Sequence, residues 1–120
     1  MTGTGQEQFF NVGISYKKAD AETRGKFSLS KEHQIALLHK SRKIGVTGAF
    51  VISTCNRTEI FGFANRPCLL MELLCEFSEG TNKELVTIAN IHKDEEAIQH
   101  LFRIGTGLDS QILGDYEIVG

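Results

Sequence analysis

Cys55, Arg57 and His100 are the residues whose chemistry the sequence brings forward first. Cys55 stands between two apolar runs, flanked by Thr54 and Asn56 and two positions before Arg57. A thiol acts as a nucleophile when it is exposed at a rigid point beside a cation or donor that favours thiolate. The strand–turn–strand setting supplies the first condition and Arg57 is a candidate for the second. Taken alone, the spacing favours a turn cysteine with no role. Arg57 is a planar, permanently charged fork suited to gripping a carboxylate by two hydrogen bonds. Pairing with its near neighbour Glu59 is an equally good account. His100 falls in the middle of a helical segment, roughly 160–200° around from Ile98 and Phe102 at about 100° per residue. It shares a side with Ala97 and Ile104, which suits either a satisfied structural imidazole or an acid/base group. His33, His39 and His92 have no partner in the sequence and read as surface residues. Cys68 and Cys75 lie on an apolar helical stripe with Met71 and Leu74, so packing explains them.

These residues need elements to hold them. Phe9 to Tyr16 reads as a first strand, and Lys17 to Leu29 shows no clear period. Ser30 is a good cap for a helix running to Lys43, with Glu32 in the first turn, basic residues in the last and Gly45 beyond. Gly48 to Thr54 and Thr58 to Ala64 read as strands joined by a tight reversal at Cys55-Asn56-Arg57, hence antiparallel. Pro67 opens a second helix that Gly80 closes. Leu85 to Ile91 reads as a fourth strand, and Asp94 as the cap of a third helix that fades at Gly105. Asp94-Glu95-Glu96 complements the dipole of that helix and needs no catalytic reading. The order β-α-β-β-α-β predicts an α+β fold: a ferredoxin-like, split βαβ two-layer sandwich with an extra C-terminal helix.

Composition sets outer bounds. The 120 residues, 41% hydrophobic and 23% charged, make one globular domain with a modest core. A net charge of -2 excludes a broadly basic nucleic-acid coat, though not a focused contact with an RNA end. Three cysteines without CxxC spacing suit neither a disulfide scaffold nor a zinc site and point to a reducing compartment. No apolar run is long enough for a membrane helix. Residues 1–8 read as a loose leader, 9–120 as the domain, and the chain as a cytoplasmic fragment of something longer. The Gly105-Thr106-Gly107 segment is no dinucleotide fingerprint, and P-loop, nucleophile-elbow and HExxH patterns are missing from the sequence.

Three segments carry a resemblance: STCNRTEIF at 53–61, HLFRIGTGLDSQILGDYEIVG at 100–120 and NVGISYKKADAETRGKFSLS at 11–30. Together they resemble the N-terminal catalytic domain of the glutamyl-tRNA reductase family. The resemblance implies that Cys55 is the nucleophile that attacks the aminoacyl ester of glutamyl-tRNA and holds glutamate as a thioester. It implies that NADPH then reduces the thioester to glutamate-1-semialdehyde, for tetrapyrrole synthesis, using a domain beyond this chain. It makes His100 the histidine near the reactive carbonyl and Arg57 the reader of the substrate carboxylate. Thr54, Asn56 and Ser110, with Asp115, Tyr116 and Glu117, become substrate contacts by the same resemblance. It also implies a homodimeric full-length protein and an aminomutase partner that receives the semialdehyde.

The sequence departs from the family in two places. Tyr16-Lys17-Lys18 replaces a usual His-Lys-Thr, and Asp115-Tyr116-Glu117 replaces a usual Glu-Pro-Gln, putting a carboxylate where the family has an amide. Two further readings stand beside the resemblance: a non-catalytic ferredoxin-like module binding a ligand or partner, and a free-standing thiol esterase.

Overall fold

The computed structural model describes residues 7–15, 17–105 and 112–114, the last three by their backbone alone. The elements are β1 (Gln8–Ser15), α1 (Ala21–Lys26), α2 (Lys31–Lys43), β2 (Thr47–Ser53), β3 (Arg57–Ala64), α3 (Cys68–Phe77), α4 (Asn82–Ile88), β4 (Asn90–Lys93), α5 (Glu95–Gly105) and β5 (Ile112–Gly114).

The strands form one sheet in the order β4-β1-β3-β2-β5, with every neighbouring pair antiparallel. Strand β3 lies between β1 and β2, which therefore run in the same direction without touching. That is the split βαβ arrangement, with α1 and α2 making the crossover. The short β5 extends the sheet beyond the outer edge of β2, an addition that sequence patterning did not anticipate.

Strand alternation divides the side chains between two faces. Phe10, Val12 and Ile14 of β1, Val51 of β2 and Ile60 and Ala64 of β3 point into the main core. Leu37 and Leu38 of α2 and Leu70, Leu73 and Leu74 of α3 close over them, and all five are essentially without solvent exposure. At roughly 1.5–3 kcal/mol for each such side chain, this face supplies most of the hydrophobic stabilisation. The opposite face of the sheet carries the site.

Helix punctuation follows the sequence where caps are clear. The Ser30 hydroxyl accepts from the His33 N–H at 3.1 Å, and Gly45 takes the left-handed conformation (φ 92°) just past α2. The unpatterned 17–29 stretch holds a short helix, α1, whose cap is Asp20 accepting from the Thr23 N–H at 2.8 Å. Pro67 stands just ahead of α3, its carbonyl accepting from Leu70 and Met71.

Three expectations need correction. Leu85 to Ile91 is not a strand: Asn82–Ile88 is α4, and only Asn90–Lys93 is extended. A capping box decides it, since the Thr81 hydroxyl and the Glu84 carboxylate each satisfy the other's backbone N–H. Asp94 sits where its carbonyl accepts the first α5 bond, from Ile98 at 3.0 Å, but its carboxylate does not cap that helix. The carboxylate accepts from the Phe9 N–H at 3.2 Å, while the Asp94 N–H donates to the Phe9 carbonyl at 2.7 Å. Finally, β1 begins at Gln8, opposite Ala64, so residue 8 belongs to the sheet. Residues 1–6 of the expected leader lie outside the described residues.

Candidate functional site

The second face of the sheet is half aromatic and half polar. Phe50 stacks on Phe61 with centroids 4.8 Å apart, and Phe9 packs on Phe63 at 5.0 Å. Moving along β3 toward the Cys55 turn, the same face presents Glu59 and then Arg57. Helix α5 lies over this region, burying Ala97 and inserting His100.

Glu59 is the hub. It is 1% exposed, in a setting where an unpaired carboxylate would be very costly. Arg57 Nη1 donates to its Oε2 at 2.9 Å, and Asn11 Nδ2 donates to its Oε1 at 3.0 Å. His100 Nε2 stands 3.2 Å from both oxygens. Asn11 is held in turn by a second bond, from Nδ2 to the Ile60 carbonyl at 3.2 Å. Space for the carboxyl group comes from Gly13, opposite Glu59 on β1, where any Cβ would collide with it.

His92 of β4 stacks on His100 with ring centroids 4.5 Å apart. This corrects its reading as a surface residue. Burial pushes the His92 imidazole below its ordinary pKa, and the neighbouring His100 adds to the effect. On the outer side of His100, Arg103 Nη2 lies 3.4 Å from Nδ1.

Above these groups opens a cleft of about 600 Å³ lined by Ser15, Lys17, Arg57, Asn90, His92, His100 and Arg103. Three of the lining side chains are cationic, and Glu59 lies buried beneath them. Such a cleft draws anions.

Cys55 occupies the turn at the end of β2 and β3 and is exposed. The turn is rigid for a visible reason. The Thr54 N–H donates to the Arg57 carbonyl at 2.8 Å, while the Thr54 hydroxyl accepts from the N–H groups of Asn56 and Arg57. Thr54 therefore builds the turn that presents the thiol. The Arg57 guanidinium pairs with Glu59, as one of the sequence readings had it.

Arg57 and His100 thus meet on one carboxylate, and Thr54, Cys55 and Asn56 share the adjoining turn. Ser110, Asp115, Tyr116, Glu117 and Tyr16 lie outside the described residues. Sequence reasoning missed Glu59, Asn11, Gly13 and His92 as a group. Only the alternation of β3, which sets Glu59 beside Arg57, could have signalled one of them. Cys75 packs half-buried against the core, and burial raises its thiol pKa; Cys68 is half-buried and accepts from Arg66 Nε at 2.9 Å. Among the described residues no cluster of His, Cys, Asp or Glu is arranged to hold a metal ion.

Comparison with known proteins gives consistent matches. The model of the family "Glutamyl-tRNAGlu reductase, N-terminal domain" matches residues 12–120. The chain is 53% identical over 113 residues to a glutamyl-tRNA reductase of Christiangramia forsetii, covering 94% of this chain and 27% of that protein. It is 56% identical over 111 residues to glutamyl-tRNA reductase 2 of Flavobacterium johnsoniae, covering 92% and 26%. Among solved structures, glutamyl-tRNA reductase from Methanopyrus kandleri aligns with a TM-score of 0.61 at 26% identity, over 88% of this chain and 24% of that one. The chain spans about a quarter of the length of these relatives.

Proposed function

The chain belongs to the glutamyl-tRNA reductase family, as its N-terminal domain, and we propose that it is the module that captures glutamyl-tRNA and transfers glutamate to Cys55. The Cys55 thiolate attacks the ester carbonyl carbon of the aminoacyl end. A C–S bond forms, the C–O bond to the ribose breaks, and the released tRNA hydroxyl takes up a proton. His100 exchanges that proton, and the Arg57 fork reads the side-chain carboxylate of glutamate. Thr54 and Asn56 present the thiol and the substrate at the turn. Ser110 and the Asp115-Tyr116-Glu117 triplet complete the substrate contacts on the strength of the family resemblance.

The observation that carries this reading is the convergence of Arg57 and His100 on Glu59, in a cationic cleft next to the turn bearing Cys55. A thiolate suits the task, because a thioester is more electrophilic than an oxygen ester.

Reduction of the thioester by NADPH to glutamate-1-semialdehyde is assigned to the longer protein. The described residues do not fit a dinucleotide: the sheet is antiparallel throughout and offers no parallel-strand crevice with a Gly-rich turn. No step of this chain is therefore routed through NADPH. In the same reading the longer protein is a cytoplasmic homodimer in tetrapyrrole synthesis, passing its semialdehyde to an aminomutase. No helix among the described residues is long and apolar enough to cross a membrane.

The test is intact mass after mixing with glutamyl-tRNA and quenching in acid. A glutamyl adduct is expected on the native chain and not on Cys55→Ser. An adduct that survives in Cys55→Ser, or none on the native chain, defeats the proposal.

A further inference from the structure

Helix α5 and strand β3 meet at the buried acid Glu59 and at the Phe61–His100 ring contact, and what that acid does to Arg57 and His100 is a separate question from the identity of the nucleophile. Glu59 is an acceptor only, so His100 Nε2, 3.2 Å from both of its oxygens, carries the hydrogen of that bond. The Arg103 guanidinium is a donor only. Its Nη2, 3.4 Å from Nδ1, meets the other ring nitrogen on its lone-pair side. The two contacts together select the neutral tautomer protonated on Nε2, and Nδ1 is then the nitrogen that takes a proton once the long Arg103 contact gives way. Among the described residues the same carboxylate takes Arg57 through Nη1, which fixes the plane in which the rest of the guanidinium fork faces the cleft.

Glu59 does not look like an accident of burial. Asn11 fixes it from the neighbouring strand, and Gly13 leaves the space its carboxyl group fills. A carboxylate that sets the tautomer and aim of an acid/base imidazole has a well-understood effect on catalysis.

We propose that Glu59 is the positioning residue of this site: one buried carboxylate that orients His100 for proton exchange through Nδ1 and aims Arg57 at the substrate carboxylate. The assignment rests on the acyl-transfer reading above, and it deepens that reading by making two roles depend on one group. It has a signature that neither partner gives alone. Misplacing Arg57 weakens substrate binding, misplacing His100 slows the chemical step, and altering Glu59 does both.

The experiment compares the native chain with Glu59→Gln, Arg57→Lys and His100→Asn, after circular dichroism has shown each to be folded. Single-turnover acylation of Cys55 is followed over a range of glutamyl-tRNA concentrations, and long-range ¹H–¹⁵N spectra report the tautomer of each histidine ring. Glu59→Gln is expected to slow the limiting rate by about 100-fold or more. It should also raise the half-saturating concentration and lose the pure Nε2-protonated form of His100. Arg57→Lys should shift chiefly the half-saturating concentration, and His100→Asn chiefly the limiting rate.

A folded Glu59→Gln with both parameters within twofold of native and an unchanged tautomer overturns the proposal. So does a native chain whose neutral His100 is protonated on Nδ1. Should Glu59→Gln not fold, Glu59→Asp keeps the charge and shortens the reach, and the same readouts decide. If the native chain forms no adduct, the acyl-transfer reading fails by itself, and the ring spectra still judge the link between Glu59 and His100.

Discussion

His92 shows how one residue can report on the whole site. Its pKa is held below the ordinary value of about 6.5 by burial first and by His100 second; Glu59 and Glu96 oppose the shift and Arg103 reinforces it. A histidine with a lowered folded pKa binds fewer protons folded than unfolded just below pH 6.5. Stability therefore rises with pH through that window and is lost as pH falls from 6.5 toward the folded value. The urea midpoint should decline between pH 7 and 5, and His92→Phe, which keeps a ring against His100, should flatten much of that decline. A His92 ring resonance titrating at or above 6.5 would contradict this account. Arg57→Ala should be the more damaging change, because it orphans one side of a buried carboxylate. About 3 kcal/mol is expected in denaturant unfolding, the low end for a broken buried pair, since Asn11 and His100 remain. At this scale the sequence was partly legible. The Arg57–Glu59 pairing could be seen two positions apart. Burial of Glu59 could not, because its other partners lie 48 and 41 positions away.

The elements were legible wherever a cap or an alternation was strong. Ser30, Pro67 and the three-residue turn at Cys55 each marked a true boundary. The failure at Leu85 to Ile91 has a local cause: β-branched residues suggested a strand, while the signal lay upstream in the Thr81–Glu84 pair. Thr81→Ala removes one half of that box and should lower stability by about 1 kcal/mol, read from the urea midpoint. Gly13→Ala probes the sheet differently. The β1 backbone there would accept an alanine, but the new methyl occupies the Glu59 carboxyl position. A loss of about 1–3 kcal/mol is expected, together with a disturbed His100 resonance. An unperturbed His100 in a folded Gly13→Ala would mean that Glu59 has room the structure does not show.

For the molecule as a whole, two layers were readable and the division of labour between them was not. Helices α2 and α3 pack one face of the sheet into a core, and the other face is left for polar groups gathered from β1, β3, β4 and α5. Gathering of that kind follows from strand order and register, which local patterning does not specify. The chain supplied with NADPH and glutamyl-tRNA should form the Cys55 adduct and consume no NADPH, as followed by absorbance at the nicotinamide band. Oxidation of NADPH coupled to adduct loss would place a reductive function in this domain.

Asp94 gives α5 a mechanical character. The helix is tied to the sheet near its first turn by the paired bonds between Asp94 and Phe9, and again at His100 by Glu59. The two ties are roughly 9 Å apart along the axis at 1.5 Å per residue. A beam pinned at two points cannot pivot, so the imidazole keeps its place against Glu59. Asp94→Gly keeps the backbone free to adopt the φ of 53° found there and removes the carboxylate's part of the tie. The first turn of α5 should then be held by the backbone N–H bond to the Phe9 carbonyl alone, and loosen. Faster amide exchange along the first turn of α5, with exchange at the centre of β3 unchanged, would be the mark of that motion.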